Sequence, residues 1–273
     1  MIKEYAYAKV NLYLLVKGEK DGYHELETLM VKTSLCDILS FKKRKDDNIE
    51  IKGLNIENNS ILLAAKMFKE KYHTSGITIS VKKNIPMEAG LGGTSADSSA
   101  TLRGLNQLFN LNLSLDDLNQ MAKSLGSDNS FCLYNKAAIC YGRGEILDFI
   151  DMKFKLNALL IKPSYGIKTK EAFKLIKEKD NIIDQEILIK AIKDNDYEKI
   201  NQMLINDLLE PALILEPKLK TLIDKIESLG FKAHMSGSGS TLFVLNKDIN
   251  KLKKLSKILD NDNDFYLVEL IED

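Results

Sequence analysis

The most informative segment of this sequence for the fold is a glycine-rich stretch, Pro86-Met87-Glu88-Ala89-Gly90-Leu91-Gly92-Gly93-Thr94-Ser95. Before it, residues 77–81 alternate as in a β-strand, and after it Ala96, Ala100 and Gly104 recur every four positions, as in a closely packed helix. Glycines let consecutive amides point at an anion, and a following helix adds unpaired amides and a positive dipole end. This order predicts a phosphate site, although a tight turn that caps the helix without a ligand fits the same residues.

The predicted phosphate site differs from two common nucleotide loops. No Gly-Lys-Ser/Thr follows the turn, as a Walker A loop requires, and no acidic residue stands where a dinucleotide-binding fold needs one. Thr94 and Ser95 would supply hydroxyl donors or help to hold a magnesium ion. Asp97 falls in the predicted first helical turn, and its charge would repel phosphate, so we expect it to point away or to face the metal.

The composition is that of a globular protein with no charge bias. The chain has 273 residues, with 39 Lys or Arg and 39 Asp or Glu, so its formal net charge is zero. Nucleic-acid binders need a basic surplus, so we expect no nucleic-acid partner. Cys36, Cys132 and Cys140 lack metal-ligand spacing, which favours reduced thiols. The sequence shows neither a signal peptide nor an apolar run of about 18 residues, so we expect a cytoplasmic protein without a membrane partner.

The hydrophobic pattern predicts an α+β fold in two parts, residues 1–152 and 153–273, with an extensive interface. In the first part, residues 10–16 alternate as a half-buried strand, and short strand-like stretches follow around Met30–Leu35, Ile38–Phe41 and Ile49–Lys52. The second part reads as strand, helices and then further strands and a helix, with the predicted strands at 156–161, 231–235, 241–245 and 266–270. Residues 176–184 are expected as a solvated loop or a frayed helix end.

Polar residues at three further places suit the chemistry of a phosphate site. Lys9 and Asn11 stand two apart on a predicted strand, so both project from one face, where they would orient a phosphate and a hydroxyl. Asp128 lies at a predicted helix end before an apolar segment, where a general base can be fixed. On spacing alone, a solvent-facing Lys9 and an ordinary turn aspartate fit these residues better.

Two turns carry weaker signals. Asp21-Gly22-Tyr23-His24-Glu25 begins with a strong turn dipeptide and presents an aromatic ring beside an imidazole, which suits a flat heterocycle. A hairpin with a packed tyrosine is equally compatible. Ser236-Gly237-Ser238-Gly239-Ser240-Thr241 joins two predicted strands, and its composition favours a mobile turn over a second phosphate loop.

Taken together, these segments resemble the GHMP kinase superfamily. Its three motifs occur here in order, at Ala8–Leu12, Pro86–Ser99 and Met235–Thr241. The resemblance spans nearly the whole chain. It implies a two-domain GHMP kinase fold, with a ribosomal-protein-S5-like N-terminal domain and a ferredoxin-like α/β sandwich as the C-terminal domain.

Within the superfamily, the residues Asp21–Leu26, Gly126-Ser127-Asp128 and Gly142-Arg143-Gly144-Glu145 are similar to one branch in particular. That branch uses ATP and Mg²⁺ to phosphorylate the 2-hydroxyl of a cytidine-diphosphate derivative of methylerythritol, in the non-mevalonate isoprenoid pathway. The resemblance implies this small-molecule substrate and a monomer or weak homodimer. The alternatives are a kinase of homoserine or mevalonate, or a nucleotide-binding regulator that has lost catalysis.

The resemblance also implies roles for individual residues. Lys9 and Asp128 match the catalytic pair, with Asp128 as general base and Lys9 as orienting cation. Cytosine would be bound by Tyr23 and His24, with Phe173 on its other face. The remaining implied contacts are with substrate at Asn11, with adenine at Asn59 and Lys83, and with ATP along Pro86–Ala96. The resemblance gives no metal ligands.

Four positions depart from the family pattern. Asn129 and Ser130 follow Asp128 where the family often has Val-Pro, which would change how firmly Asp128 is held. Ala96 stands where a second serine is common, so one hydroxyl near the phosphates is missing. Lys168 replaces a small residue near the expected cytosine pocket.

Overall fold

The computed structural model describes residues 1–54, 59–177, 180–259 and 262–272. Its strands are β1 (Ile2–Lys20), β2 (Tyr23–Lys43), β3 (Ile49–Lys52), β4 (Ile77–Lys82), β5 (Ala138–Gly142), β6 (Ile146–Phe149), β7 (Phe154–Pro163), β8 (His234–Met235), β9 (Leu242–Leu245) and β10 (Asn263–Glu272). Its helices are α1 (Ser60–Tyr72), α2 (Gly93–Phe109), α3 (Leu115–Leu125), α4 (Asn129–Tyr134), α5 (Thr169–Lys174), α6 (Gln185–Lys193), α7 (Tyr197–Met203), α8 (Leu209–Leu215), α9 (Lys218–Ser228) and α10 (Ile249–Ile258).

A long antiparallel hairpin of β1 and β2 supports the rest of the molecule. Asp21 and Gly22 turn it, both with positive φ, as the dipeptide predicts. Two expectations were wrong here. The short strands expected at Met30–Leu35 and Ile38–Phe41 are one strand, β2, and β1 is buried on both faces from Ala8 to Val16. A strand buried on one face alternates in polarity, whereas β1 packs against elements on both sides.

The hairpin belongs to a sheet that includes strands from both ends of the chain. Within the described residues the order is β3-β4-β2-β10-β7-β9-β8, with β1 and β5 also paired to β2 and β6 paired to β5. β10 pairs with β7 along its length and with β2 at Leu270 and Ile271. The α+β fold is therefore confirmed, while the domain boundary at residues 152 and 153 and the extensive interface stay predictions.

Helix α2 packs tightly against this sheet, as its small residues predict. Ala96 and Ala100 are buried, and a Cβ atom on Gly104 would lie 2.3 Å from Cε2 of Phe41. The helix and its sheet belong to the larger hydrophobic core, whereas Leu14 and Val16 of β1 pack into a second cluster formed mostly by the C-terminal half. β1 thus contacts both cores, and this fixes Lys9 and Asn11 at their junction.

Other predicted elements are reproduced with changed limits. The capping box of Ser114 and Asp117 is present at the start of α3. The strand expected at 231–235 is shorter, because only His234 and Met235 pair with β9. Residues 176, 177 and 180–184 lie outside helices and strands, and the remainder of the expected loop, residues 178 and 179, falls outside the described part.

Candidate active site

A cavity of about 1040 Å³ lies where the sequence motifs meet. Its walls include Lys9 and Asn11 of β1, the glycine-rich stretch, Asp128, the aromatic pair Tyr23 and His24, Phe173, and Gly237 and Ser238. Pockets for drug-sized ligands range from about 300 to 1,000 Å³, so this cavity lies at the upper end of that range.

The glycine-rich stretch forms the wall that the sequence predicts for phosphate. Gly90 and Gly92 have φ of 70° and 68°, a conformation that favours glycine, and α2 begins at Gly93. Thr94 and Ser95 therefore lie in its first turn. A Cβ atom on Gly92 would lie 2.9 Å from Cγ of Lys9, so glycine is needed there for the lysine to pass.

Asp97 does not face the phosphate wall. It lies in the second turn of α2, not in the first, and its Oδ2 accepts a hydrogen bond of 2.6 Å from Lys83 Nζ. Lys83 also pairs with the buried Asp37, whose Oδ1 accepts the backbone N–H groups of Asn84 (2.5 Å) and Ile85 (2.8 Å). The cluster of Lys83, Asp37 and Asp97 thus fastens the start of the phosphate stretch to the helix after it.

In this cluster the pKa values of Asp97 and Lys83 are shifted from their ordinary values. Burial raises the pKa of Asp97 to about 7, against the opposing effect of Lys83. Asp97 Oδ1 is buried and has no hydrogen-bond partner among the described residues, which fits a carboxyl that retains its proton easily. Burial acts to lower the pKa of Lys83, but Asp97 and Asp37 outweigh it and raise that pKa.

Lys9 and Asp128 come together in the cavity. Lys9 Nζ lies 3.3 Å from Asp128 Oδ2 and donates a 2.5 Å hydrogen bond to Asn11 Oδ1. The side chain of Asp128 is 28% exposed, while that of Lys9 is 6% exposed, so the solvent-facing reading of Lys9 was wrong. Asn11 is held in turn, because its Nδ2 donates to Thr28 Oγ1 at 2.8 Å. The shared face of Lys9 and Asn11 is confirmed.

The C-terminal Gly-Ser-Gly loop closes the cavity beside this pair. Ser236 Oγ donates to Gly90 O at 3.1 Å and accepts from Asn11 N at 3.3 Å. A Cβ atom on Gly90 would lie 2.5 Å from Ser236 O, and one on Gly237 would lie 3.5 Å from Lys9 Nζ. Ser236, Ser238, Ser240 and Thr241 are all buried, so this turn is packed into the wall of the cavity.

Aromatic side chains line the other end of the cavity. The rings of His24 and Phe173 stack, with centroids 5.2 Å apart and planes 19° apart. Tyr23 is 57% exposed, and the guanidinium carbon of Arg143 lies 4.6 Å from its ring centroid. The structure thus brings Phe173 to the Tyr23–His24 turn. It stacks Phe173 on His24 itself, where we expected the two rings on either side of a base.

Two expected nucleotide residues lie elsewhere. Asn59 and Ala96 do not line the cavity. Asn59 caps α1, accepting a hydrogen bond from Leu62 N at 2.9 Å. The N–H of Ala96 donates to Gly92 O, so it is not available to a phosphate oxygen, and the Ala96 side chain is buried. Their roles at ATP stay predictions with no geometric support.

Basic side chains outnumber acidic ones in the lining of the cavity, although Lys83 is paired with Asp37 and Asp97 behind it. Among the described residues, the basic side chains are those of Lys9, Lys83, Lys123, Arg143, Lys170 and Lys174, against the acidic side chains of Glu88 and Asp128. Sequence reasoning missed Lys123, Arg143, Lys170 and Lys174. Arg143 lies in the motif Gly142-Arg143-Gly144-Glu145, which could have indicated it. Lysines on exposed helices have no distinguishing sequence pattern. The surplus suits two ligands that both carry phosphates.

Family models match both parts of the chain: the GHMP kinases N-terminal domain at residues 59–143 and the GHMP kinases C-terminal domain at residues 188–262. The fold and the site are accordingly those of a small-molecule kinase of the GHMP class.

Individual relatives narrow this class. Proteins of Staphylococcus aureus (strain bovine RF122 / ET3-1) and Staphylococcus haemolyticus (strain JCSC1435) are 38% identical over 99% of this chain and 100% of their own length. Both carry the provisional name 4-diphosphocytidyl-2-C-methyl-D-erythritol kinase. A crystal structure of 4-(cytidine 5'-diphospho)-2C-methyl-D-erythritol kinase superposes with a TM-score of 0.87 at 28% identity, covering 99% of this chain and 100% of that one.

The chain therefore belongs to the 4-diphosphocytidyl-2-C-methyl-D-erythritol kinase family. A homoserine kinase from Cytophaga hutchinsonii, with a TM-score of 0.71 at 18% identity over 99% of this chain and 95% of its own, shares the fold alone. Among the described residues, no helix is both long and apolar enough to span a membrane.

Proposed function

We propose that the protein transfers the γ-phosphoryl group of ATP to the 2-hydroxyl of 4-diphosphocytidyl-2-C-methyl-D-erythritol. The observation that carries this proposal is the contact of Lys9 with Asp128, 3.3 Å between Nζ and Oδ2, between a glycine-rich phosphate wall and an aromatic pocket. A phosphoryl donor and a base-bearing acceptor would meet at this pair.

The reaction asks mainly for positioning and charge stabilisation. Asp128 would accept the proton of the 2-hydroxyl as its oxygen forms a bond to the γ-phosphorus and the bond to the ADP oxygen breaks. Lys9 would hold the Asp128 carboxylate in place and stabilise charge on the transferring group. Free amides of Gly90–Ser95 and the start of α2 would bind the phosphate oxygens of ATP.

Mg²⁺ fits the residues present. When bound, the ion would neutralise charge on the phosphates of ATP. The hydroxyls of Thr94 and Ser95, which line the cavity, would help to hold it. Among the described residues, no group of three or more His, Cys, Asp or Glu is placed to hold a metal ion.

The acceptor is assigned from the aromatic end of the cavity. Tyr23, His24 and Phe173 offer flat rings and an imidazole, which suit cytosine, and homoserine or mevalonate would need neither. The zero net charge supports a small molecule over a nucleic acid. We place this reaction in the non-mevalonate isoprenoid pathway, in the cytoplasm, carried out by a monomer or weak homodimer.

An ADP-release assay tests the assignment. Purified protein is given ATP and Mg²⁺ with the cytidine compound, homoserine or mevalonate in parallel. We expect ADP release above background with the cytidine compound alone. Preferred turnover of homoserine or mevalonate would overturn the acceptor, and no turnover of any of the three would favour a regulator that has lost catalysis.

A further inference from the structure

Asn129 follows the proposed base Asp128 and is buried, with 1% of its surface exposed. Burying an amide is costly unless its hydrogen bonds are satisfied. Here Asn129 Nδ2 donates to Ser98 Oγ at 2.6 Å, and the backbone carbonyl of Asn129 accepts from Ser99 Oγ at 2.9 Å. Both partners are buried on α2, so the segment that carries Asp128 is fastened to that helix by side chains.

The connection continues to the phosphate wall. Ser98 Oγ lies within donor distance of Thr94 O (3.0 Å) and Ser95 O (3.2 Å), two carbonyls of the first turn of α2. A continuous series of hydrogen bonds therefore runs from the turn that would bind ATP phosphates to the residue beside Asp128. Such buried networks transmit small displacements because their members have little freedom to relax.

Gly126 makes room for this arrangement. A Cβ atom at this position would lie 2.8 Å from Asn129 Oδ1, and the N–H of Asn129 donates to Gly126 O at 3.3 Å. Because Gly126, which follows α3, has no side chain, the side-chain amide of Asn129 fits beside it at the start of α4. An apolar residue in place of Asn129 would leave Ser98 without its donor.

We infer that Asn129 and Ser98 form a relay that sets the position of Asp128 according to whether the phosphate wall is occupied. Asn129 touches no substrate in this scheme and is a positioning residue. The inference rests on the proposed role of Asp128 as general base. It adds that binding of the phosphates of ATP at Thr94 and Ser95 would bring the Asp128 carboxylate to the acceptor hydroxyl.

Kinetics of Asn129→Ala, Ser98→Ala and the double variant test the relay. Misplacement of a catalytic group by about 1 Å can cost roughly a hundredfold, so we expect Asn129→Ala to lower kcat by about tenfold to a hundredfold. Affinities for ATP and acceptor should stay within about twofold. The double variant should be little worse than Asn129→Ala alone, because both changes break one relay.

Asn106→Ala is the matched control, since Asn106 also makes two side-chain hydrogen bonds from α2, to Leu113 O (2.9 Å) and from Leu113 N (3.1 Å), away from the cavity. We expect it to lower the urea midpoint without changing kcat. If Asn129→Ala behaves like this control, or if the two single effects simply add, the relay is wrong.

Hydrogen exchange separates failure of the relay from failure of the proposed function. The Cys132 amide donates to Asp128 O at 3.0 Å and reports on this segment. We expect a non-hydrolysable ATP analogue with Mg²⁺ to slow exchange of residues 129–132 in the wild type but not in Asn129→Ala. This readout does not depend on the acceptor alcohol. Unchanged exchange in the wild type would overturn the relay even if the cytidine compound is turned over.

Discussion

The two ends of the cavity are built differently. At the phosphate end, buried backbone and side chains hold one another: Ser236 joins Gly90 to Asn11, and the Lys83 cluster fastens both ends of the glycine-rich stretch. At the aromatic end, half of Tyr23 is exposed, and His24 and Phe173 contact each other. Under the proposed function, the fixed end would hold the phosphates of ATP, and the more exposed side chains of the aromatic end would select the acceptor.

The largest effect is expected where the two ends meet. Asp128→Asn removes the proposed general base but keeps its shape, so kcat should fall by about 10² to 10⁴ while the fold and the ATP affinity are retained. Steady-state ADP release and ATP titration measure the two quantities.

Asp148→Asn, which changes an exposed residue of β6, is the control and should leave both kcat and the ATP affinity unchanged. Near-normal turnover of Asp128→Asn would remove Asp128 from the mechanism.

A smaller and selective effect is expected at the aromatic end. Stacking on a base contributes about 1–3 kcal/mol, so Tyr23→Ala and Phe173→Ala should each raise KM for the cytidine substrate by roughly tenfold to a hundredfold. The KM for ATP should be almost unchanged, because the phosphate end is held independently.

Tyr5→Ala removes a partly exposed tyrosine that contacts Lys3 outside the cavity and should leave both KM values alone. Equal weakening of both substrates by Tyr23→Ala would contradict a separate acceptor site.

The remaining effect is on stability, and it concerns the cluster that fastens the phosphate end. The pKa of Asp97 is raised from 3.8 to about 7 in the folded protein, so the folded state holds a proton that the unfolded chain releases. The stabilising contribution of that proton is complete below about pH 4 and is lost as pH rises to about 7. Relative to Asp97→Asn, the wild type should lose on the order of 3 kcal/mol of unfolding free energy between pH 4.5 and 7, and little more above pH 7.5.

Urea unfolding of both proteins across this pH range measures the difference. Groups shared by the two proteins cancel in the comparison. A constant difference would mean that Asp97 is already ionised in the folded protein at acidic pH.

At the phosphate end, local sequence patterns predicted the glycine conformations and the shared strand face, but they did not predict the burial of the side chains. Glycines at 90 and 92 and the shared face of Lys9 and Asn11 follow from residue type and strand period, so they could be read directly. The burial of Lys9 could not be predicted, because the loop beside it comes from far along the chain. Ser236 of that loop is 225 residues from Asn11.

The same limit explains what was missed elsewhere. The bonds of Asn129 to Ser98 and of Lys83 to Asp37 join residues 31 and 46 positions apart, and no short pattern carries them. From the sequence, Asn129 stands out only as a departure from the family pattern that would change how firmly Asp128 is held. Its side-chain contacts depend on how α2, α3 and α4 pack, and that arrangement appears only in three dimensions.

The most direct test of the central claim is where the phosphate goes. In the proposed product it is attached to the carbon that bears the methyl group, and that carbon carries no hydrogen. The proton-coupled phosphorus NMR spectrum of the product mixture should therefore show one new phosphomonoester resonance without three-bond splitting. A doublet or triplet would place the phosphate on a secondary or primary hydroxyl and contradict the proposed orientation of the substrate against Asp128.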